Sequence, residues 1–176
     1  LASATSPDKE LDIIAQQADW AEQHPATWWE HVKRTTQQIK AAAKFDPADV
    51  AALTIKDSTG KEVVLARGDG DSWVLPNADY YPANGASVEE LLAKLPGLDT
   101  SRLIATSKSS HNRLKVGENQ FERLVEIELA GGETDRLYIG SSAGANATHM
   151  RVDGDSEVYL AGGLSAWEAS TQLSSW

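Results

Sequence analysis

The fold is decided by one stretch, Phe121-Glu122-Arg123-Leu124-Val125-Glu126-Ile127-Glu128-Leu129. Its odd-numbered positions are mainly apolar, and its glutamates all occupy even-numbered positions. Because successive side chains of a β-strand point to opposite faces, this alternation predicts a strand with one buried and one wet face. Val125 and Ile127 are predicted to be buried, and Glu126 and Glu128 to be solvated. A row of carboxylates on an exposed sheet would suit a basic partner.

Short strands with turn residues between them are predicted on both sides of this stretch. Residues 50–75 are predicted to form a three-stranded meander, with turns at 57–60 and 68–71. Ser87 and Glu90 form a capping box that predicts the start of a helix, which ends at Pro96-Gly97. Most links are too short for the crossover helix that parallel strands need, so the sheet is predicted to be mostly antiparallel.

The two ends of the chain are predicted to be helical. Before residue 46, apolar stripes at spacings of three and four, together with capping residues, predict a two-helix arm. Leu164, Trp167 and Leu173 predict a short C-terminal helix. The fold class is therefore α+β, with about nine short strands, one inserted helix, the arm and the C-terminal helix. The predicted domains are the arm at 1–45 and the α+β domain at 46–176.

Composition excludes several kinds of site. The 176 residues include no cysteine, which excludes disulfides, thiolate zinc sites and a cysteine nucleophile. The formal net charge of −10 disfavours nucleic acid as a partner, and no dense basic patch offsets it. No cofactor is predicted. Ala2-Ser3-Ala4 has the small-residue form found at the end of signal peptides, so we expect a periplasmic or other extracytoplasmic location.

No catalytic or metal-binding set is predicted from the motifs. Ser110 and His111 are adjacent, and adjacent residues of an extended segment point to opposite faces, so they are a poor nucleophile and base. The loop around them, residues 107–113, is predicted to bind a partner or to cap the sheet. Asp69-Gly70-Asp71 lacks the further acids of a calcium loop and is predicted to be a hairpin turn. Residues 140–146 are predicted to be a flexible loop between strands.

Aromatic and cationic residues supply the candidate interaction surface. Trp73 and Trp167 lie in patterned segments and are predicted to pack in the core. One of the adjacent Trp28 and Trp29 is predicted to face inward, which leaves the other for an interface. The predicted interaction surface consists of Trp28, Tyr80, Tyr81, His111 and Arg113.

From Phe45 onward, the order of short segments resembles the bacterial family known as domain of unknown function 4340 (DUF4340). The segments that carry this resemblance are 49–55, 70–76, 81–84, 91–95, 105–107, 111–116, 137–140, 149–151 and 157–160. The resemblance implies an envelope protein, often with an N-terminal membrane anchor, associated with auxiliary components of ABC transporters of the gliding-motility type. It implies no catalytic residues, and it does not cover the helical arm.

Three functional hypotheses follow. The first is a non-enzymatic extracytoplasmic module that binds envelope proteins, among them ABC transporter components. The second is a domain that binds a cell-envelope glycan or another small ligand, with Tyr80, Tyr81 and Trp73 stacking on it. The third is an enzyme that uses Ser110 and His111.

Overall fold

The computed structural model describes residues 45–98, 102–144 and 146–176. The predicted N-terminal arm, apart from Phe45, lies outside the described residues, as does Trp28. The residues from Phe45 to Trp176 belong to one compact unit.

Most of the described chain is β-strand. The strands are β1 (Val50–Asp57), β2 (Glu62–Arg67), β3 (Trp73–Leu75), β4 (Tyr81–Pro82), β5 (Arg102–Ala105), β6 (Val116–Gly117), β7 (Gln120–Phe121), β8 (Arg123–Leu129), β9 (Thr134–Ser142), β10 (Ala147–Val152) and β11 (Val158–Gly162). An α-helix, α1 (Gly85–Lys94), separates β4 from β5. The chain thus has the predicted α+β character.

Nine of these strands form one sheet in the order β4-β3-β2-β1-β8-β9-β10-β11-β5. Every neighbouring pair in it is antiparallel, as predicted from the short links. The strands β6 and β7 form a separate two-stranded ribbon. At the centre of the sheet Ile55 pairs with Val125 and Leu53 with Ile127, so the predicted apolar face of the Phe121–Leu129 stretch is also the core face of β1.

The helix α1 begins earlier than its predicted capping box. Asn84 is the N-cap, and its side-chain oxygen accepts a hydrogen bond from the Ser87 backbone nitrogen at 3.4 Å. Val88, Leu91 and Leu92 are buried, at spacings that place them on one side of a helix. A 3₁₀ turn at Leu95–Gly97 ends the helix, where Pro96 removes a backbone donor.

One face of the sheet packs against α1 and the C-terminal segment, residues 164–176. The sheet residues buried in this main core come from seven of the nine sheet strands: Val50, Leu53, Ile55, Val63, Leu65, Trp73, Leu75, Val125, Ile127, Leu137, Ile139, Met150 and Ala161. The helix contributes Val88, Leu91 and Leu92, while Leu164 and Ala169 come from the C-terminal segment. The burial of Val125 and Ile127 confirms the predicted register of β8.

The opposite face of the sheet is also covered in part, which the alternation in β8 did not predict. Leu124, Tyr138 and Val158 point to this side and pack with Leu114 and Val116 in a second core. The covering residues belong to the segment 107–117, called the cap below, in which His111, Leu114 and Val116 are buried. The backbone of Ser141 in β9 donates a hydrogen bond to the Leu114 carbonyl at 3.0 Å, which holds the cap on the sheet.

The carboxylates of β8 are not a uniform wet row. Glu128 is exposed, but Glu126 is half-buried and forms ion pairs with Lys56 at 2.7 Å and with Arg136 at 2.7 Å. Burial favours a higher pKa for the Glu126 carboxyl, but the hydrogen bonds from Lys56 and Arg136 outweigh it and lower the pKa. These cations offset the charge that was expected to attract a basic partner.

Two local predictions are corrected. Gly140, Ser141 and Ser142 belong to β9 rather than to a flexible loop, and the turn begins only at Ala143. The C-terminal segment contains turns and a 3₁₀ turn at Leu173–Ser175 in place of the predicted short helix. A nine-stranded sheet matches the expected strand number, with β6 and β7 additional to it.

Truncating Ile127 should destabilise the protein strongly. Ile127→Ala removes a buried side chain from the main core, and such changes cost about 2–5 kcal/mol through lost transfer energy and the cavity left behind. Glu128→Gln on the same strand is the matched control and should change the free energy of unfolding by no more than ~0.5 kcal/mol. Urea denaturation monitored by circular dichroism measures both. A neutral Ile127→Ala would show that β8 is in another register.

Gly140 should not tolerate a methyl group. An added Cβ would overlap the Leu114 carbonyl and lie 2.9 Å from the Lys115 carbonyl, both in the backbone of the cap. Gly140→Ala should therefore cost about 1–3 kcal/mol, as overpacking usually does. Gly131 has no atom within 4 Å of the same position, so Gly131→Ala should be close to neutral. Equal unfolding midpoints for the two variants would contradict the close approach of the cap to β9.

Candidate functional site

Tyr80 and Tyr81 form an exposed aromatic tip beside the β4 edge of the sheet. Their side chains are 70% and 69% exposed, in keeping with the predicted interaction surface. Asp79 and Tyr80 both have positive φ, at 54° and 58°, a conformation that non-glycine residues rarely adopt. Pro82 lies in β4 itself, and proline on an edge strand blocks further strand pairing. This edge is therefore protected against strand addition.

Trp73 does not join the tyrosines. It is buried in the main core, as predicted, and its indole nitrogen donates to Glu89 at 2.8 Å. The Arg67 guanidinium lies over its ring at 4.6 Å. The indole is therefore covered by protein groups and has no face free to stack on a ligand. The glycan hypothesis was wrong to place Trp73 in one stacking site with the two tyrosines.

His111 and Arg113 have different surroundings. The ring of His111 is buried, and its Nε2 lies 2.9 Å from the Ser156 carbonyl oxygen, which joins the cap to the start of β11. His111 is thus a structural residue of the cap and not part of the predicted interaction surface. Arg113 is exposed, and its side chain has no ion pair or hydrogen bond with another described residue.

The two serine and histidine pairs lack the arrangement of a nucleophile and its base. His111 Nε2 is engaged by a carbonyl, an acceptor, so it donates there. His149 Nδ1 lies 3.1 Å from the Ser141 hydroxyl but 2.9 Å from the Ser141 carbonyl, which assigns a proton to Nδ1. A protonated nitrogen cannot accept the proton of the hydroxyl. Ser141 Oγ instead donates to the Leu114 carbonyl at 3.2 Å.

The strand β5 forms the other edge of the sheet. It pairs with β11 on one side, and no described strand pairs with its other side. Leu103 and Ile104 are 46% and 41% exposed, so two apolar side chains face solvent on a strand whose second side no described strand covers. The sequence predicted a strand here but gave no sign that it lies at an edge, because strand order depends on contacts between distant segments.

Three exposed cations lie in β5 or shortly after it in the chain. Arg102 lies in β5, and Lys108 and Arg113 lie in the loop that follows it; all three are exposed. Within the parts of the chain that the structure describes, none of the three forms an ion pair. Most other cations of the domain do, including Lys56, Lys94 and Arg136.

A groove of about 270 Å³ lies between α1 and the C-terminal segment. Its walls include Lys94, Glu168 and Trp167, with Leu91 and Trp176 as buried apolar residues. Lys94 pairs with Glu168 and, at 3.0 Å, with Glu90. The hydrogen bonds that the Lys94 ammonium donates to Glu168 and to Glu90 raise its pKa. Trp167, which was predicted to pack in the core, is instead 75% exposed.

The family comparison concerns the part of the chain that carries these surfaces. The model of the family described as "Domain of unknown function (DUF4340)" matches residues 73–176, more than half of the chain. The chain belongs to this family. No curated protein and no solved structure matches it.

The DUF4340 match begins at the first residue of β3. It therefore includes the tyrosine tip, the β5 edge, the cap and the groove, while β1 and β2 precede it. The residues 45–72, which were also expected to resemble the family, contribute the strands that pair with β3 and β8.

Across residues 45–98, 102–144 and 146–176, no cluster of three or more histidine, aspartate or glutamate side chains could hold a metal ion. No helix in the same residues is long and apolar enough to cross a membrane.

Asp57 should make the anchoring of the C-terminal segment sensitive to acid. Burial favours a higher pKa for its carboxyl, but hydrogen bonds from Thr59, Thr171 and the Lys61 backbone outweigh it and lower the pKa to about 2. A lowered pKa in the folded state stabilises the protein above the unfolded pKa of about 3.9, and this stabilisation is lost as the pH falls toward 2.

Asp57→Asn tests this anchor. The variant should be less stable than the parent at pH 6, and the difference should shrink as the pH falls from about 4 to about 2. Chemical denaturation at a series of pH values measures it. Asp135→Asn, at an exposed residue of β9, is the control and should show no such dependence. A stability difference for Asp57→Asn that is the same at pH 6 and pH 2 would contradict the anchor.

Proposed function

We propose that this DUF4340 chain is a non-enzymatic, extracytoplasmic protein-interaction module whose contact surface is the β5 edge. Its partner would be a component of an envelope assembly associated with an ABC transporter. The family resemblance supports that setting, and the β5 edge supports the mode of binding.

The observation that carries the proposal is that exposed apolar side chains lie on an edge strand whose second side no described strand covers. Proteins usually protect such edges with charge, proline or a covering segment, because an open edge is a template for another strand. β4 has proline, whereas β5 presents Leu103 and Ile104. An extended segment of a partner could pair with the β5 backbone while its side chains contact these two residues.

The charges around β5 indicate the chemistry of the partner. Arg102, Lys108 and Arg113 are exposed cations without ion pairs among the described residues, in a chain with a net charge of −10. Complementary charge increases association rates and suppresses wrong partners. An acidic segment with alternating apolar residues therefore fits the edge better than a basic one. This reverses the basic partner expected from the glutamates of β8.

Defined peptides test this mode of binding. A fluorescent peptide of alternating valine and glutamate should bind the protein in an anisotropy titration, more weakly at high salt, and the peptide of alternating valine and lysine should not. The Leu103→Ser/Ile104→Ser variant and the Arg102→Glu/Lys108→Glu/Arg113→Glu variant should each bind at least about tenfold more weakly. Equal binding of both peptides, or no binding at all, would contradict strand addition by an acidic segment.

One control variant and one experiment in cells test whether the binding is specific. Tyr81→Ala alters an equally exposed residue at the opposite edge of the sheet and should leave the peptide affinity unchanged.

In the source bacterium, a photocrosslinker at position 104 of the full-length protein should join it to an envelope protein. The charge-reversed variant should lose this product. A cytoplasmic location of the full-length protein would contradict the envelope assignment.

A further inference from the structure

The groove beside α1 is separate from the surface assigned to a protein partner. It is formed by side chains of the helix and of the C-terminal segment, whereas the partner surface is the β5 edge. Its volume of about 270 Å³ is just under the range of about 300–1,000 Å³ typical of small-molecule sites. The groove is therefore large enough for one ring of a ligand.

The charged side chains of the groove form ion pairs with one another. The Lys94 ammonium bonds both Glu90 and Glu168, and the second oxygen of Glu168 accepts a hydrogen bond from the Ser165 backbone at 2.8 Å. An anionic ligand would meet two carboxylates, and a cationic ligand would meet the ammonium. The charged groups are therefore already engaged with one another, one ammonium with two carboxylates, and as fixed donors and acceptors they suit an uncharged polar ligand better than an anion.

Hydroxyl groups extend this polar lining. Ser87 from α1 and Ser170 and Ser175 from the C-terminal segment line the groove. The serines of the C-terminal segment are themselves held in place, since Ser175 Oγ donates to Ser170 Oγ at 2.9 Å. A hydroxyl both donates and accepts, so such a lining matches a ligand that carries several hydroxyl groups of its own.

Trp167 adds an apolar platform at the rim. Its side chain is 75% exposed although the nearby Leu164 and Ala169 are fully buried, so the backbone that carries it is fixed by the main core. Leaving an indole in water forgoes the stabilisation that burial would bring. A rigid aromatic face of this kind suits a flat ligand with C–H groups on one side.

We propose that this groove binds an uncharged pyranose ring of an oligosaccharide. The C–H face of the sugar lies on the indole of Trp167, and its hydroxyls bond Lys94, Glu168 and the serines of the wall. A pyranose combines an apolar face with a polar rim in one rigid ring, which is the combination the groove presents. Tyr80 and Tyr81 are not among the residues that line the groove.

Calorimetric titration with defined sugars tests the proposal. Cellobiose, maltose and N,N′-diacetylchitobiose are the probes, and at least one should bind with a Kd on the order of 1 mM or lower. Mannitol is the matched ligand control, because it carries six hydroxyls on a linear chain without a ring face, and it should not bind. If none of the three disaccharides binds, or if mannitol binds equally well, the proposal is wrong.

Variants locate the site. Trp167→Ala should weaken binding of the active sugar at least about tenfold, and Trp167→Phe, which keeps an aromatic face, should bind more tightly than Trp167→Ala. Tyr81→Ala, a truncation of a similarly exposed aromatic residue, should bind as the parent does. Circular dichroism and the unfolding midpoint check that each variant is folded. Unchanged binding in folded Trp167→Ala would place the sugar elsewhere and overturn the assignment.

Discussion

The central strands have apolar side chains on both faces, and the protein has to keep both faces away from water. In β8, Val125 and Ile127 point to one side and Leu124 to the other, and all three are buried. Each square ångström of apolar surface removed from water contributes about 25 cal/mol, so neither face can be left bare without a large loss. The helix and the C-terminal segment cover the first face, and an irregular cap covers part of the second.

Covering a sheet with irregular backbone creates a problem that a helix does not have, because the carbonyl groups of a loop lack regular partners. In this protein Arg151 supplies hydrogen-bond donors to such carbonyl groups. Its buried guanidinium donates to the carbonyls of Val116, Val152 and Asp155 and lies 4.3 Å above the Tyr138 ring. The side chain thus joins the cap, the end of β10 and the turn after it, and the ring beneath compensates for part of its lost hydration.

The surfaces proposed for binding are those that the helix, the C-terminal segment and the cap do not cover. An open sheet always has two edges, and in this domain proline protects only β4. At β5 the apolar residues and the exposed cations remain available to a partner, while the groove lies where the C-terminal segment crosses α1. The two sites use different chemistry. The edge offers backbone groups and net positive charge, and the groove offers paired charges, hydroxyls and one indole.

The sequence by itself determined the features that depend on neighbouring residues. The alternation in Phe121–Leu129 correctly predicted the strand and the burial of Val125 and Ile127, because side-chain direction in a strand follows from the backbone geometry alone. Short links predicted antiparallel pairing, and the order of segments indicated the DUF4340 family. The inserted helix was also predicted, although its N-cap is Asn84, a few residues before the expected capping box.

Only the tertiary structure decided which strand lies at an edge, which tryptophan is exposed and which charges are paired. Trp73 and Trp167 occupy similar sequence patterns. Trp73 contacts Arg67 and Glu89 from other elements, whereas the Trp167 side chain is left mostly exposed. Glu126 was predicted to be solvated, but in the folded sheet it forms ion pairs with Lys56 of β1 and Arg136 of β9. His111 looked accessible, but the Ser156 carbonyl meets its ring only after β11 is in place. These outcomes depend on pairings between residues far apart in the chain, and local periodicity carries no information about them.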